Sequence, residues 1–169
     1  MPLPTPSPSH GFPASGHNHD RCLDTALDRA TLAFERKGLR LTDLRRRVFV
    51  EIAGSHHAVG AYDVLARLAV SGDRLAPISV YRAIDALLAA GCIHRLESRN
   101  AFFACHTGQL HTRKPVVLVC TPCGRVAEMG GDEVLDALDR LLTANGFEAE
   151  QTVVEVAGCC ADCRLGRAS

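Results

Sequence analysis

From residue 20 to residue 91, apolar residues recur every three or four positions. That is the period of helices with one face against a core. In the first helix Asp20 can cap the start, Leu23, Leu27 and Phe34 form an apolar stripe, and Gly38 can end it. "LTDLRRRVFVEIAG" offers Thr42 as a second cap, sets Leu44, Val48 and Ile52 at helical spacing, and stops near Gly54. "AYDVLARLAVSG" and "PISVYRAIDALLAAG" predict two more helices, with Pro77 suited to a first turn and Gly91 to a C-terminal cap. After Gly91 the period changes. "CIHRLE" and "AFFAC" flank the turn "SRN" and predict a β-hairpin. Helices followed by a two-stranded hairpin have the order of a winged helix-turn-helix.

The polar stretch 106–114, "HTGQLHTRK", reads as a hinge. Beyond it the pattern predicts a strand ("PVVLVC"), a short strand ("RVAEM"), a helix from about Asp132 to Asn145 ended by Gly146, and a strand ("EQTVVEVAG"). The expected fold class is α+β, with a winged helix-turn-helix domain over 20–105 and a small α/β domain over 115–169. Residues 1–19 are rich in Pro, Ser and Gly and are expected to be a disordered tail.

Composition narrows the function. The 169 residues suffice for one domain or two small ones. No apolar run approaches the ~18 residues of a membrane span. The N-terminus lacks the basic start and apolar stretch of a secretory signal, so a cytoplasmic location is expected. Eight cysteines in a cytosolic chain are poor candidates for structural disulfides. Formal charge sums to zero, but residues 1–99 carry 13 Lys/Arg against 10 Asp/Glu, and residues 100–169 carry 6 against 9. This weak dipole fits a DNA-facing first lobe, and fits ordinary scatter as well. There is no Gly-rich phosphate loop and no catalytic arrangement of Ser, His and Asp, so an enzyme is not expected.

Cys120 and Cys123 form one CxxC pair, and Cys160 and Cys163 another, 36 residues further on. Two such pairs supply the four thiolates of a tetrahedral zinc site, which would staple both ends of a domain too small to be secure alone. A thioredoxin-type CxxC would need one pair, between a strand and a helix. Zinc, redox chemistry and unconnected thiols remain the three readings. Cys159 competes with Cys160, and the two-residue spacer favours Cys160.

His94, Cys105, His111 and Glu128 come together in the expected layout and form a second plausible zinc set. The thiolate favours zinc over ferrous iron or manganese. His94 also reads as a surface residue, and Cys105 beside "AFF" as core. In a helix-turn-helix the second helix enters the major groove, which brings Ser79, Tyr81 and Arg82 near DNA. Arg can donate to guanine O6 and N7, and a Tyr ring can pack on a thymine methyl. Core packing is the competing reading for the tyrosines. Arg45, Arg46 and Arg47 are backbone contacts or a solvated face. Cys22 and Cys92 read as core, and His56 and His57 as exposed. His106 is a possible substitute ligand. The tail residues His10, His17 and His19 could bind metal or simply be solvated.

The stretches "AYDVLARL", "ISVYRAIDALLAAGCIHRLESRNAFFAC", "CTPCGRVAE" and "GCCADC" resemble the ferric uptake regulator family of metal-dependent repressors, within it the zinc uptake regulator branch. The resemblance covers most of residues 40–163. It implies a homodimer bound to double-stranded operator DNA, a C-terminal dimerisation domain, and two Zn2+ per chain. One zinc would be structural, on Cys120, Cys123, Cys160 and Cys163. The other would be regulatory, on His94, Cys105, His111 and Glu128. It also implies that Arg82 and Tyr62 contact bases and that Tyr81 faces the DNA. Asp43 and Leu44 stand where the family usually has Pro and Gln. The His-rich segment of iron-sensing members is missing before the first CxxC strand, which with Cys105 argues for zinc. The runner-up within the family is a sensor of iron or another signal. The rival from another class is a thiol or zinc-carrier protein that does not act on DNA.

Overall fold

The computed structural model describes residues 12, 19–70, 72, 75–105 and 115–166. Most of the expected tail and the whole 106–114 hinge, with His106 and His111, therefore lie outside the described residues.

Helix α1 (His19–Arg36) starts one residue before the expected cap, so Asp20 lies in its first turn. The side chains it buries fully are Ala26, Ala30 and Phe34, four apart, while Leu23 and Leu27 are only partly covered. Small residues in that stripe let the helix lie close to its neighbours. Helix α2 (Asp43–Ala53) is capped as expected: the Thr42 side chain accepts the Arg45 N–H at 3.5 Å. It buries Val48, Phe49, Ile52 and Ala53. A two-residue strand, β1 (Val59–Gly60), leads into α3 (Ala61–Val70), and α4 (Pro77–Ala90) follows with Pro77 in its first turn. Gly91 takes φ 75°, where its N–H bonds Leu88 O at 2.9 Å and the Cys92 N–H bonds Leu87 O at 3.0 Å. That left-handed turn, which glycine adopts without a Cβ penalty, sends the chain out of α4 into a strand.

Strands β2 (Ile93–Leu96) and β3 (Ala101–Ala104) pair antiparallel from Ile93↔Ala104 to Leu96↔Ala101, with a 3-10 turn at Glu97–Arg99 between them. The expected hairpin is therefore present, but it has a third strand. β1 pairs along the other edge of β3, Val59 against Phe102. Two residues are too few for alternation to reveal a strand.

The second sheet has the order β5-β4-β6. Its centre is β4 (Val116–Cys120), flanked by antiparallel β5 (Val126–Met129) and parallel β6 (Glu155–Gly158). Helix α5 (Asp132–Ala144) makes the crossover, and Gly146 follows it at φ 65°. The last strand is shorter than expected. Residues 150–154 lie outside it, although Val154 O still accepts the Val117 N–H at 2.9 Å. A four-residue helix, α6 (Ala161–Arg164), ends the described chain.

Two apolar clusters result. One fills the helical lobe. The other joins Leu96 and Phe103 of the hairpin to Val117, Val119 and Val126 of the second sheet. Phe34 is fully buried in the first and also lies under the Arg45 guanidinium, 5.5 Å from the ring centroid. Phe34→Ala should cost about 3–5 kcal/mol of stability, read as a lower urea midpoint with little change in slope.

Candidate metal centres and nucleic-acid face

The first CxxC pair is shaped by a tight turn after β4. Cys120 ends the strand, its N–H bonds Arg125 O at 2.9 Å, and the Gly124 N–H returns to Cys120 O at 2.8 Å. Gly124 sits at φ 72°, where a side chain would be strained, and a Cβ there would come within 3.2 Å of His57 Cδ2, which would have to give way. The second pair follows β6. Cys160 caps α6, its Sγ accepting the Cys163 N–H at 3.5 Å, and its own N–H reaches Cys120 Sγ at 3.3 Å.

The four sulfurs all lie within 4.8 Å of one another. Cys120 and Cys163 are 3.6 Å apart, and Cys123 and Cys160 are 3.9 Å apart. A disulfide would need about 2.05 Å. A tetrahedron with Zn–S bonds of ~2.3 Å has edges of about 3.8 Å, so the cluster fits zinc. Cys159 is exposed and its Sγ turns to Cys160 O at 3.7 Å, so the sulfur that joins the cluster is that of Cys160.

Arg125 binds the cluster from the side. Its Nε donates to Cys123 Sγ at 3.4 Å, and its Nη2 donates to Cys160 Sγ at 3.3 Å and Asp162 Oδ2 at 2.8 Å. Burial works to raise the Cys123 thiol, but hydrogen bonding from Arg125 outweighs it and brings the group down to about 6. Cys163 is pushed up by burial and by its sulfur neighbours. Crowded thiols cannot all ionise without a cation, and Arg125 favours the first to do so.

The second group joins the two lobes. His94 on β2, Cys105 one residue past β3, and Glu128 on β5 place their ligand atoms within 4.8 Å of one another. Cys105 therefore lies just beyond the strand it was expected to end. Its N–H bonds Cys92 O at 3.0 Å. His94 Nε2 is 3.1 Å from Glu128 Oε2, yet the approach lacks hydrogen-bond alignment. Glu128 is 3% exposed, an unusual depth for a carboxylate. Burial disfavours a charged His94, but Cys105 and Glu128 outweigh it and raise the imidazole to about 9. A metal ion would take the place of the proton that His94 otherwise carries beside Glu128, and the N, S and O donors of the group fit zinc.

In the helical lobe Tyr62 is 73% exposed and Tyr81 38% exposed, with ring centroids 6.4 Å apart edge to face. Neither packs in the core. Arg82 is exposed on α4, and Ser79 is half-buried one turn before it. Of the three arginines on α2, Arg46 is the exposed one. Arg45 donates to Arg40 O at 2.6 Å, and Arg47 pairs with Asp43 at 3.7 Å.

The sequence profile of the ferric uptake regulator family matches residues 36–157. The chain belongs to the ferric uptake regulator family. It is 34% identical over 127 residues to the zinc uptake regulation protein of Escherichia coli (strain K12), covering 75% of this chain and 74% of that protein. Among solved structures it is similar to a zinc uptake regulator complexed with zinc and DNA, with a TM-score of 0.78 and 31% identity over 87% of this chain and 98% of the other. XcZur gives an informative contrast. Its holo form matches with a TM-score of 0.75 at 34% identity, over 84% of this chain and 99% of that one. Its apo form reaches only 0.51 at 35% identity, over 85% and 99%. Identity and coverage hardly differ, so the gap lies in the conformation of the two forms. The chain is thus more similar in structure to the holo form than to the apo form.

Some residues landed elsewhere than expected. His56 is buried, 9% exposed, because the loop after α2 lies along β5. His56 O accepts the Val126 N–H at 2.8 Å, and His57 bridges to Arg125. His57 is exposed as expected, yet its Nε2 is 2.8 Å from Cys123 O. Cys92 is core, as expected, with burial pushing its thiol up to about 11, while Cys22 is only half-buried. The sequence reading missed Arg125 and Asp162. Their positions inside and beside the CxxC motifs were the available signal.

The cysteine cluster separates two neighbours. Cys160→Ser should lose a tightly held metal ion and lower the stability of the second lobe, while Cys159→Ser should leave both unchanged. Metal content per folded chain checks this, and equal content in the two variants would overturn the ligand set.

Proposed function

We propose that this chain is a zinc-responsive transcriptional repressor, which binds operators of zinc-uptake genes as a homodimer when zinc-loaded and releases them when zinc is scarce. The observation that carries this reading is the gathering of His94, Cys105 and Glu128 across the lobe boundary. His111, outside the described residues, is the fourth ligand. Cys120, Cys123, Cys160 and Cys163 hold the structural zinc, giving two ions per chain. Bound at the regulatory site, zinc supplies a cation with ligands in both lobes.

The chain's own residues do the rest. His94 and Cys105 carry the position of the wing, and Glu128 carries that of the second sheet. When these three are held together, the angle between lobes is set. In a dimer that angle spaces the two α4 helices on DNA. Affinity for DNA rises only by as much as the ligand prefers the closed arrangement. Arg82 and Tyr62 read bases, Tyr81 supports Tyr62 and faces the duplex, and Ser79 and Arg46 contact the backbone. The division into a helical lobe to residue 105, a hinge over 106–114 and a dimerisation lobe from 115 follows this scheme.

Dimer formation is supported by apolar side chains left uncovered in a single chain, Val134 and Leu141 on α5, Phe147 beyond it, and Val156 on β6. No helix among the described residues is long and apolar enough to cross a membrane. The cytoplasmic location rests on the role at DNA. The curated relatives are named as regulation proteins, which supports a regulator and not an enzyme. An iron-responsive role is less supported, because Cys105 is a soft ligand.

Two measurements test this reading. Arg82→Ala should weaken specific operator binding by about 1–3 kcal/mol and relax the preference at one base pair of each half-site. Equal weakening on all sequences would make Arg82 a phosphate contact. Cys105→Ser should stay folded and dimeric, keep one zinc per chain, and lose the zinc response of operator binding across buffered free zinc. A curve that coincides with the wild type would remove Cys105 from the sensor.

A further inference from the structure

The wing turns back through one 3-10 turn at Glu97–Arg99, whose first N–H groups have no partner within the turn. Glu155 of β6 supplies both partners. Its Oε1 accepts the Glu97 N–H at 2.6 Å and its Oε2 the Ser98 N–H at 3.1 Å. The turn is fixed from its own side by Arg95, whose Nε lies 3.1 Å from Glu97 Oε2 and whose Nη2 donates to Asn100 Oδ1 at 2.7 Å. Two N–H groups are thus offered in a set direction, and the carboxylate that meets them belongs to the other lobe. Burial works to raise the Glu155 carboxyl, but these bonds prevail and hold it below the usual carboxylate range.

The register gives this contact a wider meaning. Val117 pairs with Glu128 on one side and with Glu155 on the other, so the three form one row across the second sheet. Residues opposite one another in a sheet share a face. All three therefore meet the wing together: Glu128 at His94, Val117 in the cluster with Leu96 and Phe103, and Glu155 at the turn. A sheet row moves as a unit. Seating Glu155 on the turn and bringing Glu128 to His94 are the same displacement.

We propose that Glu155 is a positioning residue for the regulatory site, a latch that pre-forms the approach of Glu128 to His94 and so sets the zinc concentration at which the protein responds. This rests on the repressor reading above. A contact made only in the closed arrangement raises zinc affinity by the factor through which it favours closure. Once zinc is saturating, closure no longer needs the latch.

The test is operator binding by the full-length dimer against buffered free zinc, for wild type, Glu155→Gln and Glu155→Ala. Glu155→Ala should move the midpoint to about fivefold higher free zinc or more. Glu155→Gln, which keeps the shape and one acceptor, should move it less. Both should reach the wild-type plateau, with unchanged zinc content at saturation. An unmoved midpoint overturns the latch. So does a lowered plateau or lost zinc, which would mean that Glu155 supports the fold or the DNA contact. If Glu155→Ala does not fold, Glu155→Gln decides by the same criteria. A wild type whose binding ignores zinc sinks the repressor reading itself, whereas a responsive wild type with unshifted variants sinks only the latch.

Discussion

The approach of His94 to Glu128 is the contact on which the rest depends, because it lies inside the seam between two lobes that each have their own sheet. A carboxylate as buried as Glu128 is costly unless something of opposite charge stands beside it. Leu96, Phe103, Val117, Val119 and Val126 exclude water around that point. The seam is therefore apolar packing with a carboxylate at its edge, Glu155, and one inside it, Glu128, and Glu128 is where a metal ion changes the balance. Apolar packing favours closure at all times, while the charged group makes closure conditional.

The cysteine cluster obeys the same physics with a different outcome. Its ligands come from one end of one small sheet, at and just past the C-terminal ends of the parallel neighbours β4 and β6. Filling that site changes no angle between lobes. It closes a sheet of three short strands that buries few large side chains, so binding energy there is folding energy. Arg125 links this cluster to the other lobe through the bridge at His57, and the loop after α2 thereby extends the sheet beyond β5. The helical lobe is held at both edges of the second sheet, near the cysteines on one side and by Glu155 on the other.

The sequence by itself determined the five longer helices but not α6, and it determined the hairpin, the order of the later strands and the two CxxC pairs. These follow from local spacing: a period of 3.6 or 2, a cap at Thr42, a glycine at position 91, two thiols two residues apart. It missed β1, because Val59–Gly60 has no alternation of its own and becomes a strand only against β3. It drew the last strand too long, since 150–154 have strand-like composition but make only one bond to β4, at Val154 O, and no continuous ladder. The two-residue spacer already favoured Cys160 over Cys159, but only tertiary structure decided that His56 is covered, that Tyr62 and Tyr81 face solvent, and that Glu128 and Glu155 share a row. Each of these depends on which face a side chain takes after residues far apart in the chain have paired. A one-residue change of register reverses that face, and composition and spacing do not encode it.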